Sequence, residues 1–223
     1  MSSLFQIQDL HYRYRLDGQW VPALNGVNAE IATGIVTCLS GPSGSGKSTL
    51  LNLLGLLDQP ASGELSFQGQ SVAALSEGAK EKLRLFQLGF IFQAFNLFPA
   101  LSAEENVEYF LTKQGVTAGD RKARVRDSLE AVGVLDQAKK RPNQMSGGQR
   151  QRVAIARALA KQPKVILADE PTASLDRKNG QSVVELLKTL SRERGLSVVI
   201  ASHDPLVLDQ ADARIDLRDG RLA

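Results

Sequence analysis

A run of eight residues, 41–48, constrains the fold of this chain more than any other stretch of it. The run fits the phosphate-binding pattern G-x-x-x-x-G-K-[ST] at every defined position. It consists of Gly41, Pro42, Ser43, Gly44, Ser45, Gly46, Lys47 and Ser48. The apolar residues 35–39 predict a buried strand before it, and residues 48–54 predict a helix after it. A strand, a glycine-rich loop and a helix in this order are the context in which the pattern binds phosphate.

The residue types in this loop suit a nucleoside triphosphate. Gly41, Gly44 and Gly46 let the backbone turn tightly, so that successive N–H groups can point at one phosphate chain. The helix that follows directs the positive end of its dipole at the same anion. Lys47 supplies a mobile charge for the β- and γ-phosphates, and Ser48 supplies a hydroxyl for Mg²⁺. Glycine- and serine-rich turns also join strands to helices without binding a ligand, but the flanking elements favour the triphosphate.

The composition is that of an ordinary globular protein. A chain of 223 residues with 43% hydrophobic and 23% charged residues can form one large domain. The net charge of +3 does not indicate nucleic-acid binding, which usually needs a clustered basic face. No apolar run reaches the roughly 18 residues of a membrane span, and the N-terminus lacks a signal-peptide pattern. The single cysteine, Cys38, is expected to be an inert core residue, and the expected compartment is the reducing cytosol.

Strands and helices alternate along most of the chain. Before residue 94, strands are predicted at 4–10, at 24–39 with a break at 32–34, at 64–67 and at 89–93, and a helix at 76–86. After residue 160, strands are predicted at 165–168, 197–201 and 213–217, and a helix at 182–190. Apolar strands that alternate with helices indicate a mostly parallel α/β core.

Residues 94–159 differ in character and predict a helical insertion in this core. Ser102 and Glu105 have the spacing of a capping box, and helical patterns run through 107–111 and 125–132. A further helix is predicted over 150–159. It is preceded by Ser146, a natural N-cap, and by two glycines that leave the amides of the first turn accessible to an anion. This helix start is a second candidate phosphate site, remote from the first. The alternative is a capped helix with nothing bound.

Polar side chains lie at the end of three of the predicted strands or directly after it. Asp169 can hold Mg²⁺ through its water shell, and Glu170 can orient and polarise the water that attacks the γ-phosphate. Gln93 can contact Mg²⁺ or the attacking water without adding charge. His203 can donate a hydrogen bond to the γ-phosphate. The alternatives are solvated acids, a solvent-facing glutamine and a structural histidine.

An aromatic side chain shortly upstream of a phosphate loop can stack on a nucleotide base. Tyr14 is the first candidate for this role and Tyr12 the second. By residue pattern alone, each can equally be packed within a strand. His11 is interpreted as a surface histidine rather than a ligand.

Taken together, the motifs and their spacing resemble the ATP-binding cassette (ABC) ATPase family over essentially the whole chain. The motifs are residues 41–48, Gln93, MSGGQ at 145–149, VILADE at 165–170, Ser174, Leu175, Asp176 and His203. The family usually has leucine where this chain has Met145, an apolar exchange that leaves the next four residues intact. Residues 89–97, 105–107 and 168–172 resemble the lipoprotein-release and macrolide-exporter branch.

This resemblance implies a fold class and a domain organisation. The fold is α/β, with a P-loop NTPase core of ABC-ATPase type, an N-terminal antiparallel β subdomain and an inserted α-helical subdomain. The whole chain, 1–223, then forms one ABC ATPase domain. Residues 1–93 and 160–223 form its nucleotide-binding core, and residues 94–159 form the helical subdomain that carries the MSGGQ motif.

The resemblance also implies an assembly. Two copies form a head-to-tail homodimer that encloses two ATP molecules with Mg²⁺. Each nucleotide lies between the phosphate loop of one copy and the signature residues of the other. The residues concerned are 41–48 and Thr49 in one copy, and Ser146, Gly147, Gly148 and Gln149 in the other. Asp176 helps to link the two sites, and Tyr14 stacks on adenine.

A membrane transport complex is the implied function. The helical subdomain docks on an integral membrane permease subunit with few spans and a large extracytoplasmic domain, at the cytoplasmic face of the membrane. Residues 93–99 couple ATP occupancy to that partner. Two other classes stay open: an ABC protein that acts on nucleic acid or ribosomes, and a cassette that signals through a membrane scaffold, as in cell division. Nothing in the sequence identifies the cargo.

Overall fold

The computed structural model describes residues 2–223, and strands make up much of its first third. The strands are β1 (Ser3–Leu16), β2 (Gln19–Ala32), β3 (Val36–Ser40), β4 (Ser62–Phe67), β5 (Gln70–Ser71), β6 (Leu88–Ile91), β7 (Val165–Asp169), β8 (Ser197–Ala201), β9 (Ala213–Arg218) and β10 (Arg221–Leu222). The α-helices are α1 (Lys47–Leu54), α2 (Glu77–Phe86), α3 (Ala103–Lys113), α4 (Ala118–Ala131), α5 (Gly147–Ala160), α6 (Arg177–Arg194) and α7 (Pro205–Gln210).

The strands form two sheets. The first is antiparallel, with strand order β2-β1-β4-β5. Its long hairpin turns at Asp17 and Gly18, whose φ angles of 47° and 82° match the right-handed twist of the flanking strands. The second sheet has the order β10-β9-β3-β8-β7-β6, and all its neighbouring strands are parallel except β10 and β9.

Both faces of the central strands β3, β7 and β8 are buried, as their continuous apolar sequences predict. In β8, Val198 and Ile200 face one hydrophobic core, and Val199 and Ala201 face the other. The first core joins the sheet to α3, α4 and α5, and the second joins it to α1 and the antiparallel sheet. The carboxyl ends of β3, β7 and β8 therefore meet at one edge, with α1 close to β7 and β8.

Cys38 lies in the middle of β3 with no exposed surface. Burial raises the pKa of its thiol from about 9 to about 11, because the low-dielectric core disfavours the thiolate. The cysteine is thus a core residue, as expected.

The helical insertion follows residue 93 and uses the predicted caps. Ser102 begins α3 with a full capping box: its hydroxyl accepts from the Glu105 N–H, and the Glu105 carboxylate accepts from the Ser102 N–H. Within residues 2–223, no helix has both the length and the apolar character that a membrane span requires.

Several element bounds differ from the sequence prediction. β6 ends at Ile91, so Gln93 lies in a turn two residues beyond the strand. α6 begins at Arg177 rather than 182, because the Asp176 carboxylate caps it through the Asn179 N–H. Helix α7 and the short strands β5 and β10 were not predicted, since each is too short to show periodicity.

Candidate functional site

The phosphate loop connects β3 to α1, and its backbone excludes side chains at two positions. Gly41 has a φ of 142°, and a Cβ added there would lie 2.1 Å from the Leu217 carbonyl oxygen. Gly46 has a φ of 102°, and a Cβ there would lie 2.8 Å from the Ala23 carbonyl oxygen. Glycine is therefore required at both positions, for conformation and for space.

Lys47, the first residue of α1, is buried with its ammonium group over this loop. Its Nζ donates hydrogen bonds to the carbonyl oxygens of Gly41 at 2.7 Å and Pro42 at 3.0 Å. Within residues 2–223, no carboxylate forms an ion pair with it. A positive charge without a fixed anionic partner stands ready for an anion beside the start of the helix.

A hydroxyl and a carboxylate lie side by side next to the loop. Ser48 Oγ donates to Asp169 Oδ1 at 2.8 Å, which joins the start of α1 to the end of β7. Burial raises the pKa of the Asp169 carboxyl, and the hydrogen bond from Ser48 opposes that rise. A partly desolvated carboxylate beside a hydroxyl fits Mg²⁺, a cation that takes oxygen ligands and keeps several waters or phosphate oxygens.

Glu170 follows in a strained backbone conformation. Its φ of 42° is in the left-handed region, and its N–H donates to the Ala201 carbonyl oxygen at 2.9 Å. The carboxylate is held at both oxygens: Oε2 accepts from Ser202 Oγ at 3.0 Å, and Oε1 lies 2.8 Å from His203 Nδ1. Since a carboxylate only accepts, Nδ1 carries the proton, and Nε2 can donate only when the imidazole is protonated.

A cavity of about 540 Å³ collects these groups, within the usual range for a small-molecule site. Lys47, Ser48, Gln93, Glu170 and His203 all line it. The structure thus brings together the predicted groups from both sides of the helical insertion.

Tyr14, and not Tyr12, lines the same cavity. Its hydroxyl lies 3.0 Å from Thr49 Oγ1, and Tyr12 packs edge-on against its ring at a centroid distance of 4.9 Å. Val21, Pro22 and Ala23 of β2 also line the cavity and were missed from the sequence. The only available signal was the hairpin register, which pairs Tyr14 with Val21.

The signature residues lie elsewhere, outside this cavity. Ser146 caps α5: its hydroxyl accepts from the Gln149 N–H at 3.3 Å, and its N–H donates to Gln149 Oε1 at 2.9 Å. The adjacent Met145 is buried in the first core, so the apolar exchange keeps its packing role.

Asp176 is exposed at the start of α6. Hydrogen bonds from the backbone and side chain of Asn179 hold the pKa of its carboxyl below the usual range. The starts of α5 and α6 touch, since a Cβ added at Gly148 would lie 2.9 Å from Asn179 Oδ1. Ser146, Gly147 and Asp176 are therefore neighbours and form what we call the Ser146 surface, and none of the three lines the nucleotide cavity.

A second cavity, of about 600 Å³, lies between α2, α3 and α5, and we call it the aromatic groove. Its aromatic lining residues are Phe90, Phe92, Phe98, Tyr109 and Phe110. Its charged lining residues are Arg84, Lys113, Arg157, Lys161 and Glu81. The groove is therefore apolar with an excess of positive charge.

A glycine-rich loop between a parallel strand and a helix, with a hydroxyl–carboxylate pair and a second carboxylate beside it, defines a P-loop nucleoside triphosphatase. Comparison with known families identifies the particular one. The model of the family described as ABC transporter matches residues 24–173, and the chain belongs to this family. Together with the relatives and the solved structures described next, this match confirms the predicted family, the fold class, and the ATP-binding and ATP-hydrolysing activity.

Individual relatives cover the chain almost completely. An uncharacterized ABC transporter ATP-binding protein of Thermotoga maritima is 44% identical over 222 residues, which are 100% of this chain and 94% of that protein. The macrolide export ATP-binding/permease protein MacB of Marinobacter nauticus is 42% identical over 98% of this chain, which spans only 34% of MacB.

Solved structures agree with the sequence comparisons. A dimeric, post-hydrolysis ATP-binding cassette bound to ADP and Pi superposes with a TM-score of 0.90 at 40% identity. That match covers 98% of this chain and 96% of the solved chain.

Proposed function

We propose that the chain is the ATPase subunit of an export or extrusion complex and works as a head-to-tail homodimer. One observation carries this proposal: the chain has two helix starts that suit an anion, and only one of them lies in the cavity. Lys47 and Ser48 line the cavity, whereas Ser146, Gly147 and Gly148 lie outside it. A second copy in head-to-tail orientation completes each cavity with the Ser146 surface, as the relative solved in a dimeric state with ADP and Pi also suggests.

Hydrolysis in this scheme uses the groups that line the cavity. Lys47 and the loop N–H groups bind the β- and γ-phosphates, which pull the ammonium from the Gly41 and Pro42 carbonyls. The oxygen of the attacking water bonds to the γ-phosphorus and Glu170 accepts its proton, while the bond from that phosphorus to the β,γ-bridging oxygen breaks and ADP leaves. Ser202 and His203 hold the Glu170 carboxylate in place for this step. A protonated His203 would also donate Nε2–H to the γ-phosphate, and Gln93 would orient the water.

Three further groups complete the proposed nucleotide site. Ser48 and Asp169 would hold Mg²⁺, with Gln93 as an additional oxygen ligand, and the cation would neutralise the developing phosphate charge. Tyr14 would stack on the adenine base, since its ring is 37% exposed and lines the cavity. In the second copy, Ser146, Gly147 and Gly148 would contact the γ-phosphate, Gln149 would keep Ser146 oriented, and Asp176 would meet the phosphate loop.

Ser146→Arg tests the composite site. The variant is expected to bind ATP within about twofold of wild type, because Ser146 lies outside the cavity of its own chain. ATP turnover is expected to fall at least about tenfold, because a long charged side chain blocks the second copy. Isothermal titration and phosphate release measure the two quantities. Normal turnover in the variant would refute the composite site.

Thr117→Arg is the matched control for this substitution. Thr117 is also an exposed helix N-cap, for α4, and accepts from the Asp120 N–H at 3.3 Å. Replacing it removes an equivalent cap, worth on the order of 1 kcal/mol, without altering the Ser146 surface. Its turnover should stay at the wild-type level.

We propose that the aromatic groove binds the membrane permease subunit, so that the chain lies at the cytoplasmic face of the membrane. Exposed apolar side chains gather there, among them Leu57, Phe98 and Tyr109. The basic lining favours a permease segment that presents apolar side chains and a carboxylate. The Marinobacter relative is named an ATP-binding/permease protein, and this chain matches a third of it. A permease with few spans and a large extracytoplasmic domain would fit the exporter branch.

Tyr109→Asp is expected to weaken copurification with the permease encoded by the neighbouring gene at least about tenfold. The substitution places a carboxylate where an apolar surface is to be buried. It also removes the Tyr109 ring, whose centroid lies 4.7 Å from that of the Phe98 ring. Leu16→Asp is the control, because Leu16 is exposed at the tip of the β1–β2 hairpin. Equal recovery of permease with both variants would contradict docking at the groove. A neighbouring gene for a many-span permease would favour ordinary import instead.

A further inference from the structure

The turn after Gln93 contains two consecutive residues in a conformation that L-amino acids disfavour. Phe95 has a φ of 62° and Asn96 a φ of 48°. Gln93 lines the nucleotide cavity, and Asn96 and Phe98 line the aromatic groove. The strained turn therefore joins the two sites, and something outside it must hold it in place.

Arg157 of α5 holds this turn. Its Nη1 donates to the Asn96 carbonyl oxygen at 2.5 Å, and its Nη2 donates to the Phe95 carbonyl oxygen at 3.0 Å. A planar guanidinium can serve two successive carbonyls at once, which the point charge of a lysine does less well. Arg157 is 6% exposed, and among residues 2–223 no carboxylate pairs with it. Burial accordingly lowers its pKa to about 10.

The same helix holds the turn at a second point. The Arg150 guanidinium lies over the Phe95 ring, 5.0 Å from its centroid. Arg150 is in the first turn of α5, directly after Gln149, and Arg157 lies two turns further on. Two arginines thus connect the turn to the helix that begins at the signature residues.

We propose that Arg157, together with Arg150, is a positioning residue for ATP hydrolysis: the contacts of the two arginines with the turn, which we call the clamp, set the location of Gln93 relative to the start of α5. A second copy or a nucleotide that displaces α5 then also displaces Gln93 in the cavity. The inference rests on the proposed function, in which Gln93 acts on the attacking water and Ser146 acts across the dimer. It predicts that the clamp contributes to turnover and not to ATP affinity.

Arg157→Lys in the full chain is expected to lower kcat about tenfold or more, since small misplacements of a catalytic group cost this much. Its ATP dissociation constant should stay within about twofold of wild type, because Arg157 does not line the nucleotide cavity. Phosphate release gives kcat, and isothermal titration gives the dissociation constant. Unchanged kcat, or an equal loss of affinity and kcat, would overturn the proposal.

Arg152→Lys is the matched control on the same helix. Arg152 also donates two hydrogen bonds, to the Val132 carbonyl oxygen at 2.7 Å and to Ser182 Oγ at 2.6 Å, away from the turn. The kcat of Arg152→Lys should stay within about twofold of wild type, even if its melting temperature falls by as much as that of Arg157→Lys. A matching loss of kcat in Arg152→Lys would assign the effect to general destabilisation and overturn the proposal.

Phe95→Leu tests whether the contacts with the turn contribute to kcat if Arg157→Lys does not fold. It removes the ring beneath Arg150 and keeps an apolar side chain, so kcat should fall at unchanged ATP affinity. A wild-type kcat in this variant would overturn the proposal.

Failure of the proposed function looks different: Ser146→Arg would then turn over ATP normally. The inference alone fails if Ser146→Arg is inactive and the clamp variants are as active as wild type.

Discussion

Glu170→Gln is expected to lower ATP turnover by at least about a hundredfold and to leave ATP binding within about threefold of wild type. The amide keeps the size of the side chain and one acceptor for the Ser202 hydroxyl, but it cannot take a proton from water. Near His203 Nδ1 it can also present N–H in place of a carboxylate oxygen, which would change the tautomer of the imidazole. Phosphate release and isothermal titration measure the two effects.

The same variant should accumulate the closed dimer, because ATP binds and is not consumed. Size-exclusion chromatography with light scattering, with and without ATP and Mg²⁺, is expected to show a shift from monomer to dimer. Glu193→Gln, an exposed change in the last turn of α6, is the control and should turn over ATP normally.

The outcomes of this experiment separate the two parts of the proposal. Wild-type turnover would exclude Glu170 as the base. A variant that binds ATP and stays monomeric would mean either that closure needs the permease or that the Ser146 surface does not meet a nucleotide. Repeating the measurement with the permease present distinguishes these two explanations.

Lys47→Ala is expected to weaken ATP binding by at least about a hundredfold, since charge-assisted hydrogen bonds to two phosphates are lost. The ammonium also bridges the Gly41 and Pro42 carbonyls, so the loop loses a donor as well as a charge. Titration of ATP against variant and wild type measures the effect. Unchanged affinity would contradict the phosphate-loop role.

Lys122→Ala supplies the control for the loss of charge. Lys122 is exposed on α4, so its removal changes the net charge equally without touching the cavity. Its ATP affinity should stay within about twofold of wild type, because exposed charges are strongly screened. The difference between the two variants then reports the local contribution of Lys47.

Local signals were sufficient for part of this structure. The phosphate loop, its strand and its helix are contiguous, so the pattern alone predicted their order and the need for glycine at Gly41. The capping box at Ser102 and the N-cap at Ser146 are also local, because donor and acceptor lie three residues apart. These predictions depend on neighbours in sequence, where steric rules act directly.

Contacts between distant segments were not accessible in this way. Arg157 and the turn at Phe95 and Asn96 lie about 60 residues apart in the sequence. The residues around Arg157 show only the pattern of an amphipathic helix, which does not indicate this contact. The approach of Gly148 to Asn179 likewise depends on how α5 and α6 pack. Val21 lines the cavity because of the register of the β1–β2 hairpin, and the sequence did not define the length of that hairpin.

The burial of Cys38 gives this chain a practical advantage for measuring motion. Maleimide reagents attack the thiolate, and a thiol with a pKa near 11 in the centre of β3 supplies almost none at neutral pH. A cysteine introduced at an exposed position of α4 would therefore carry a fluorophore or spin label without removal of the native cysteine. Distances between labels on two copies would then report in real time how the pair opens and closes.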